Sequence, residues 1–244
     1  MSTEAFDKRL INIPMLRESE CASILEQING LRHRWITRNP NRFYSLGRAT
    51  YLDTMGIEPA KGAFQCRLKS DNYLLQISFK SLYLVLGELL QGVLGGKVEI
   101  TREFAVPGFH IFLGEASAGA GMASPHFDMQ YRLLKWAEEK DEAEPISFTL
   151  PIRLPRAGGG LDVWKDTPAD MEGRYRRGEM ASIHQYAEKL GPRHFHRYSL
   201  GHLTVHLDRV LHRVGSVAGV QPDDARITLQ GHGRKLDGVW HIYW

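Results

Sequence analysis

Eleven histidines are spread through 244 residues, and two of them open a His-x-Asp triplet, His126-Phe127-Asp128 and His206-Leu207-Asp208. In an extended strand, residues two apart face the same side, so either triplet can offer an imidazole and a carboxylate to one point. A second imidazole from another strand would complete a two-histidine, one-carboxylate face. That set holds non-haem Fe(II) and leaves open positions beside it. His212 is the candidate for the second imidazole, with His206 its rival. Fourteen residues after His212 stands Arg226-Ile227-Thr228, a guanidinium and a hydroxyl two apart in a strand-like run. A lone histidine is ordinarily a hydrogen-bonded structural residue, and a lone arginine half of a surface ion pair. What raises the first triplet is its company.

Ahead of it lies Phe104-Ala105-Val106-Pro107-Gly108-Phe109-His110-Ile111-Phe112-Leu113, and a Gly- and Ala-rich loop, 115–124, delivers the chain to His126. After it come Ile146-Ser147-Phe148-Thr149-Leu150-Pro151-Ile152 and the turn Gly158-Gly159-Gly160. Gly201-His202-Leu203-Thr204-Val205-His206, Leu211-His212-Arg213-Val214 and Arg226-Ile227-Thr228-Leu229 close the series. This order resembles the Fe(II)/2-oxoglutarate-dependent dioxygenases, particularly those related to prolyl hydroxylases and phytanoyl-CoA hydroxylases, over residues 104–232. The resemblance implies that His126, Asp128 and His212 are the catalytic iron ligands. His212 is preferred to His206 by its spacing to Arg226 and by Val214 just after it. It implies that Arg226 pairs with the distal carboxylate of 2-oxoglutarate, a role that suits a guanidinium fork. Thr228 would be the helper hydroxyl. His110, the polar residue of 109–113 where many relatives carry Tyr, would be a further cosubstrate contact. The implied reaction consumes O2 and 2-oxoglutarate, releases succinate and CO2, and hydroxylates an unactivated C–H bond. The substrate would be a small molecule: an amino acid, a carrier-bound acyl group or a natural-product intermediate. Asp128 favours hydroxylation, because related halogenases replace the carboxylate with a small residue; desaturation or ring formation uses the same ligands. Two alternatives stand beside this reading: a protein or peptide hydroxylase of the same class, and a non-catalytic cupin-like metal-binding protein.

Gln130 would share the inward face of a regular strand with His126 and Asp128. Arg153, Arg156, Trp164 and the insert 166–198 flank the glycine turn and the final ligand strands and are expected to border the mouth of the site, with Gln130, Arg153 and Trp164 as substrate contacts. The insert that follows holds Arg174, Arg176, Arg177 and Arg193, which would admit an anionic small molecule; a solvated basic helix face explains them equally. Trp35, Arg38, Phe43 and Tyr44 could form a second wall, although aromatics packed on one face with arginines snorkelling on the other is the plainer reading. His194 and His196 lack a carboxylate at ligand spacing.

These residues need a scaffold. Residues 17–31 predict a helix capped by Ser19, and 72–94 predict the longest one, stopped by Gly95-Gly96. From Lys97 the character changes to short strands: 98–106, 109–113, 126–131, 146–154, 161–164, 202–207, 210–217, 226–230 and 239–243. Helical interruptions are expected at 132–142 and 167–189. Successive strands without crossover helices point to antiparallel sheets. The expected fold is mainly β with flanking helices: a double-stranded β-helix, jelly-roll or cupin-like core. One domain is expected, with residues 1–96 as an N-terminal helical layer and 97–244 as the core, carrying a helical insert near 166–200.

The chain is 43% hydrophobic and 24% charged, with a net charge of +3 from 31 basic and 28 acidic residues. That balance gives no basic stripe for nucleic acid. Two cysteines, Cys21 and Cys66, are too few for a disulfide scaffold. No uncharged apolar run is long enough for a membrane span, and residues 1–7 carry no targeting pattern. A cytoplasmic protein with no membrane partner is expected.

Overall fold

The computed structural model describes residues 9–54, 61–101, 103–118, 124–134, 145–180, 182, 189, 194–215 and 219–244. In chain order come β1 (Leu10–Pro14), the helix Glu18–Gly30, β2 (Ile36–Asn39), β3 (Phe43–Leu46), a short helix Thr50–Thr54, and the helices Lys61–Ser78 and Lys80–Leu94. Then follow β4 (Val98–Ile100), β5 (Gly108–Leu113), β6 (Ile146–Arg153), β7 (Leu161–Val163), the helix Pro168–Arg176, β8 (His194–His196), β9 (His202–Leu207), β10 (His212–Val214), β11 (Ala225–Leu236) and β12 (Val239–Tyr243). Two sheets result. The larger runs β1-β9-β6-β11-β5-β3-β2, with β12 added to the far end of β11 and β4 to β12. The smaller is β10-β7-β8. This is the mainly antiparallel double-stranded β-helix with flanking helices that the sequence predicts.

Alternation along the strands sorts the large sheet into two faces. Ile146, Phe148, Leu150 and Ile152 of β6, Phe109 and Ile111 of β5, Leu203 and Val205 of β9, and Ile227 and Leu229 of β11 enter one apolar core. Ile24 and Ile28 of the first helix and Leu82, Leu86 and Leu90 of Lys80–Leu94 cover that core from outside. Burying each such side chain stabilises by roughly 1.5–3 kcal/mol. The residues between them, Ser147, Thr149, His110, Thr204, His206, Arg226, Thr228 and His232, are polar and buried. They line the inner face, toward the small sheet.

Several expectations need correction. The helix expected over 72–94 is two helices meeting at 88°. Phe79 breaks it, with φ −119° and ψ 32°, and turns its ring onto Phe109 at 4.8 Å between centroids. The bend lets both helices address the sheet. The strand expected over 98–106 stops at Ile100. Beyond it, side chains satisfy much of the backbone, beside two bonds with Ile242 and Trp244. Asn72 donates to the Phe104 carbonyl (2.9 Å) and accepts from Val106 N–H (3.1 Å), and Thr50 Oγ1 accepts from Ala105 N–H (3.0 Å). Of the strand expected over 126–131, only His126 pairs, and Gln130–Leu133 is a 3-10 turn. In contrast, β11 outlasts its predicted end and turns into β12 through Asp237 (φ 48°) and Gly238 (φ 82°). Those angles fit the Asp-Gly hairpin signal.

Four strands lacked a sequence signal. β2 and β3 form a hairpin from the aromatic, arginine-rich stretch, and β1 adds to the edge of β9 with Leu10 opposite His206. The first 96 residues thus supply three strands to the large sheet besides their helices. β8 is the fourth. Most of the predicted helix 132–142, and residues 181, 183–188 and 190–193 of the predicted insert, lie outside the described residues. The helix described within the insert is Pro168–Arg176, capped by Thr167 with Asp170 in a reciprocal box. Among the described residues no single helix is long and apolar enough to cross a membrane.

Asn72 is 8% exposed, so Asn72→Ala strands one buried carbonyl and one buried N–H. We expect a loss of about 2–4 kcal/mol in urea unfolding, since each orphaned group costs about 1–3 kcal/mol.

Candidate metal centre

The site starts from a backbone pair. His126 N–H donates to the His212 carbonyl (2.9 Å), and His212 N–H donates to the His126 carbonyl (3.0 Å). This isolated antiparallel bridge extends the small sheet beyond β10 and sets the two rings side by side, 4.7 Å between centroids. The chain then leaves the strand, and Asp128 turns back toward both rings. Its Oδ1 lies 3.7 Å from His126 Nε2, and its Oδ2 lies 3.6 Å from His212 Nε2. One ligand atom from each residue falls within 4.8 Å of the others. His126 Nδ1 is 2.8 Å from the Ser124 carbonyl, and His212 Nδ1 is 2.8 Å from the Val210 carbonyl. A carbonyl only accepts, so each Nδ1 carries the proton and each Nε2 offers a lone pair.

Removal from water opposes the charge on Asp128, yet the imidazoles of His212, His232, His126 and His206 hold its carboxyl well below the usual range. Burial lowers His212, against the pull of Asp128. The Nε2 atoms of two imidazoles and one carboxylate thus converge, and this donor set fits Fe(II).

The three residues open into a cavity of about 360 Å³ between the sheets. Its floor is the inner face of the large sheet, in rows set by strand register. His206, Ser147 and His232 stand side by side across β9, β6 and β11, and Thr204, Thr149 and Gln230 form the next row. Thr228 and His110 follow, then Arg226, Phe112 and Phe43. Arg226 therefore lies at the opposite end of the sheet face from His206 and His232. It is 1% exposed, with its guanidinium between the rings of Phe112 and Tyr198, each 5.6 Å from Cζ. Nε donates to the Gly159 carbonyl (3.3 Å), whereas Nη1 has no partner among the described residues. A buried cation with an unmatched donor is costly unless an anion meets it. A carboxylate in the cavity would do so.

His110 lines the same end, edge-on to Phe43 at 5.0 Å, with Nε2 unpartnered among the described residues. Thr228 shares the face with Arg226 but is fully buried behind the wall, its Oγ1 accepting from Gln230 Nε2 (3.4 Å). Gln130 reaches the cavity from a 3-10 turn, not from the expected strand, and donates to Asp128 Oδ1 (3.1 Å).

Other candidates fall elsewhere. Arg153 and Trp164 are outside the cavity wall. Arg153, last on β6, donates outward to the Asp223 carbonyl (3.0 Å). Trp164 has left β7 and packs on Met171 and Leu211 beneath Arg213. Arg156 pairs with Asp223, Arg176 with Glu172, and Arg174 and Arg177 with Glu179, as on a solvated face. Arg193 lies outside the described residues. Of the N-terminal cluster, only Phe43 reaches the cavity, while Arg38 pairs with Asp53 at 2.7 and 2.8 Å. His206 lines the wall with its ring perpendicular to that of His212 at 5.0 Å, but it is not in the ligand group. Tyr51, Phe112 and His232 were not anticipated, and Tyr198 only as the end of the insert bordering the mouth. The alternation through Arg226, Thr228 and Gln230 could have found His232, and that of β5 Phe112. Tyr51 sits on the short helix Thr50–Thr54 and Tyr198 in the segment before β9, where no period marks them.

No family model matches the chain, and no curated protein matches it. Among solved structures it is similar to an N-substituted L-amino acid dioxygenase from Burkholderia ambifaria AMMD. The TM-score is 0.57 at 11% identity, covering 99% of this chain and 88% of that one. The same enzyme in complex with alpha-KG matches with TM-score 0.57 at 12% identity over the same shares. A Pseudomonas putida prolyl-4-hydroxylase gives TM-score 0.40 at 14% identity, covering 94% of each chain. The likeness to the Burkholderia enzyme shows a shared fold.

Burial pushes His110 and His206 down to about 3, against ~6.5 in an unfolded chain. Below ~6.5 the unfolded chain takes up protons that the folded state refuses, so stability is full above that pH and falls as pH drops toward 3. Metal-free protein is expected to lose stability at on the order of 1.4 kcal/mol per pH unit for each such group. Urea unfolding above and below this window checks it; an unchanged midpoint would contradict it.

Proposed function

We propose that this chain is an Fe(II)- and 2-oxoglutarate-dependent oxygenase that hydroxylates an unactivated C–H bond of a small molecule. One observation carries the reading: a His126, Asp128, His212 ligand set and the unmatched Nη1 of buried Arg226 border the same cavity. A metal chelated by a 2-oxo acid whose far carboxylate meets Arg226 would satisfy both at once.

Each residue then has a definable task. His126 and His212 would give Nε2 to the metal, their rings steered by the Ser124 and Val210 carbonyls. Asp128 would supply the anionic ligand, and Gln130 would fix the carboxylate by donating to Oδ1. Arg226 would bind the distal carboxylate by a charge-assisted hydrogen bond from Nη1, with Phe112 and Tyr198 against its guanidinium. His110 Nε2 offers a further contact at that end. Thr228 would act from behind the wall, through Gln230, and not as a direct contact. Bound Fe(II) with 2-oxoglutarate and O2 would supply the oxidising power, with succinate and CO2 as products. The walls would exclude water and hold the substrate's C–H bond beside the metal.

A cavity of about 360 Å³ is near the small end of ligand pockets and suits a small substrate beside the cosubstrate. Amino acids, carrier-bound acyl groups and natural-product intermediates are the classes we favour. The similar Burkholderia enzyme, an N-substituted L-amino acid dioxygenase, supports the first.

Anaerobic addition of Fe(II) and 2-oxoglutarate should produce a weak visible charge-transfer band, absent in His126→Ala and His212→Ala. Admitting oxygen should yield succinate. Arg226→Leu should raise the 2-oxoglutarate concentration for half-maximal band intensity about tenfold or more, the loss of one charge-assisted contact. A band without succinate would leave a metal-binding protein; neither signal in the intact protein would overturn the reading.

A further inference from the structure

The end of the cavity away from Arg226 holds polar atoms that the proposed function does not use. His206 is 3% exposed, and neither ring nitrogen has a partner among the described residues. Gln130 Oε1 is likewise buried and unpartnered, because the amide's N–H side is committed to Asp128 Oδ1. The flipped amide would set oxygen against the carboxylate, so the orientation is fixed by chemistry. All of these residues border the cavity.

Whatever its protonation state, the His206 ring offers at least one N–H donor to the cavity. Gln130 Oε1 adds an acceptor. A carboxylate, which only accepts, would leave that oxygen facing a lone pair. A carboxamide brings two N–H donors and one carbonyl, and so complements the set. Charge leads to the same answer on the reading above: iron and Arg226 are formally balanced by Asp128 and the two carboxylates of 2-oxoglutarate. No charge is left over for an ionic substrate group.

We propose that His206 and the Gln130 carbonyl form a substrate-binding end that receives a neutral, hydrogen-bond-donating group, a carboxamide above all. This rests on the oxygenase reading and narrows it, setting aside an anionic group at this end. A side chain kept for a ligand, at the expense of its own hydrogen bonds, also stabilises the empty protein less than an apolar one of similar size would.

The test uses protein loaded with Zn(II) and 2-oxoglutarate, with acetamide and acetate as probes in saturation-transfer NMR. Acetamide should respond more strongly than acetate. His206→Leu should at least halve the acetamide response without lowering the melting temperature, and His206→Gln, which keeps a donor and an acceptor, should restore it. The 2-oxoglutarate signals report loading in the same sample. Their absence overturns the oxygenase reading itself. With them present, a stronger acetate response, an acetamide response indifferent to His206→Leu, or a fall in melting temperature in His206→Leu overturns the inference alone.

Discussion

The two backbone hydrogen bonds between His126 and His212 are the constraint on which the site depends. Opposed residues in an antiparallel pair direct their side chains to the same side, so the two rings converge before any carboxylate is added. Asp128 then has only to turn back across two residues. Each ring is steered by a carbonyl two residues upstream of it, at 2.8 Å in both cases. Both acceptors are local to the histidines they orient. The metal-binding face is therefore built from short-range geometry plus one cross-strand register.

That economy is possible because stability is supplied elsewhere. The outer face of the large sheet, with the helices Glu18–Gly30 and Lys80–Leu94, carries the apolar core. The inner face can then hold buried imidazoles, an arginine and hydroxyls that contribute little or even oppose folding. The ion pair of Arg38 with Asp53 braces the short helix that brings Tyr51 to the cavity wall. The fold separates the side that holds it together from the side that does chemistry.

Much of this was legible in the residues. Strands β6, β9 and β12 lie close to their predicted bounds because alternation and turn residues agree there. His126, Asp128 and His212 meet as expected, although not through a regular strand. The spacing of a His-x-Asp survives because the turn after His126 brings Asp128 back to the same point. What failed has physical causes. An apolar run cannot reveal a bend at Phe79, whose ring packs on Phe109 from a distant strand. Edge strands such as β1 and β2 alternate over too few residues to stand out. Arg153 is the last residue of its strand and Trp164 follows the end of its own, where period-two reasoning no longer says which way a side chain points.

β11 passes beside both ends of the cavity, with Arg226, Thr228, Gln230 and His232 on one face and Ile227 and Leu229 on the other. Insertion or deletion of a single residue between them would exchange the faces for everything downstream. An arginine or histidine would be driven into the apolar layer, and an isoleucine or leucine into the polar one. Change in chain length must therefore accumulate in the turns and connections around this strand. Over those seven positions, from Arg226 to His232, the frame of the sequence is as constrained as its chemistry.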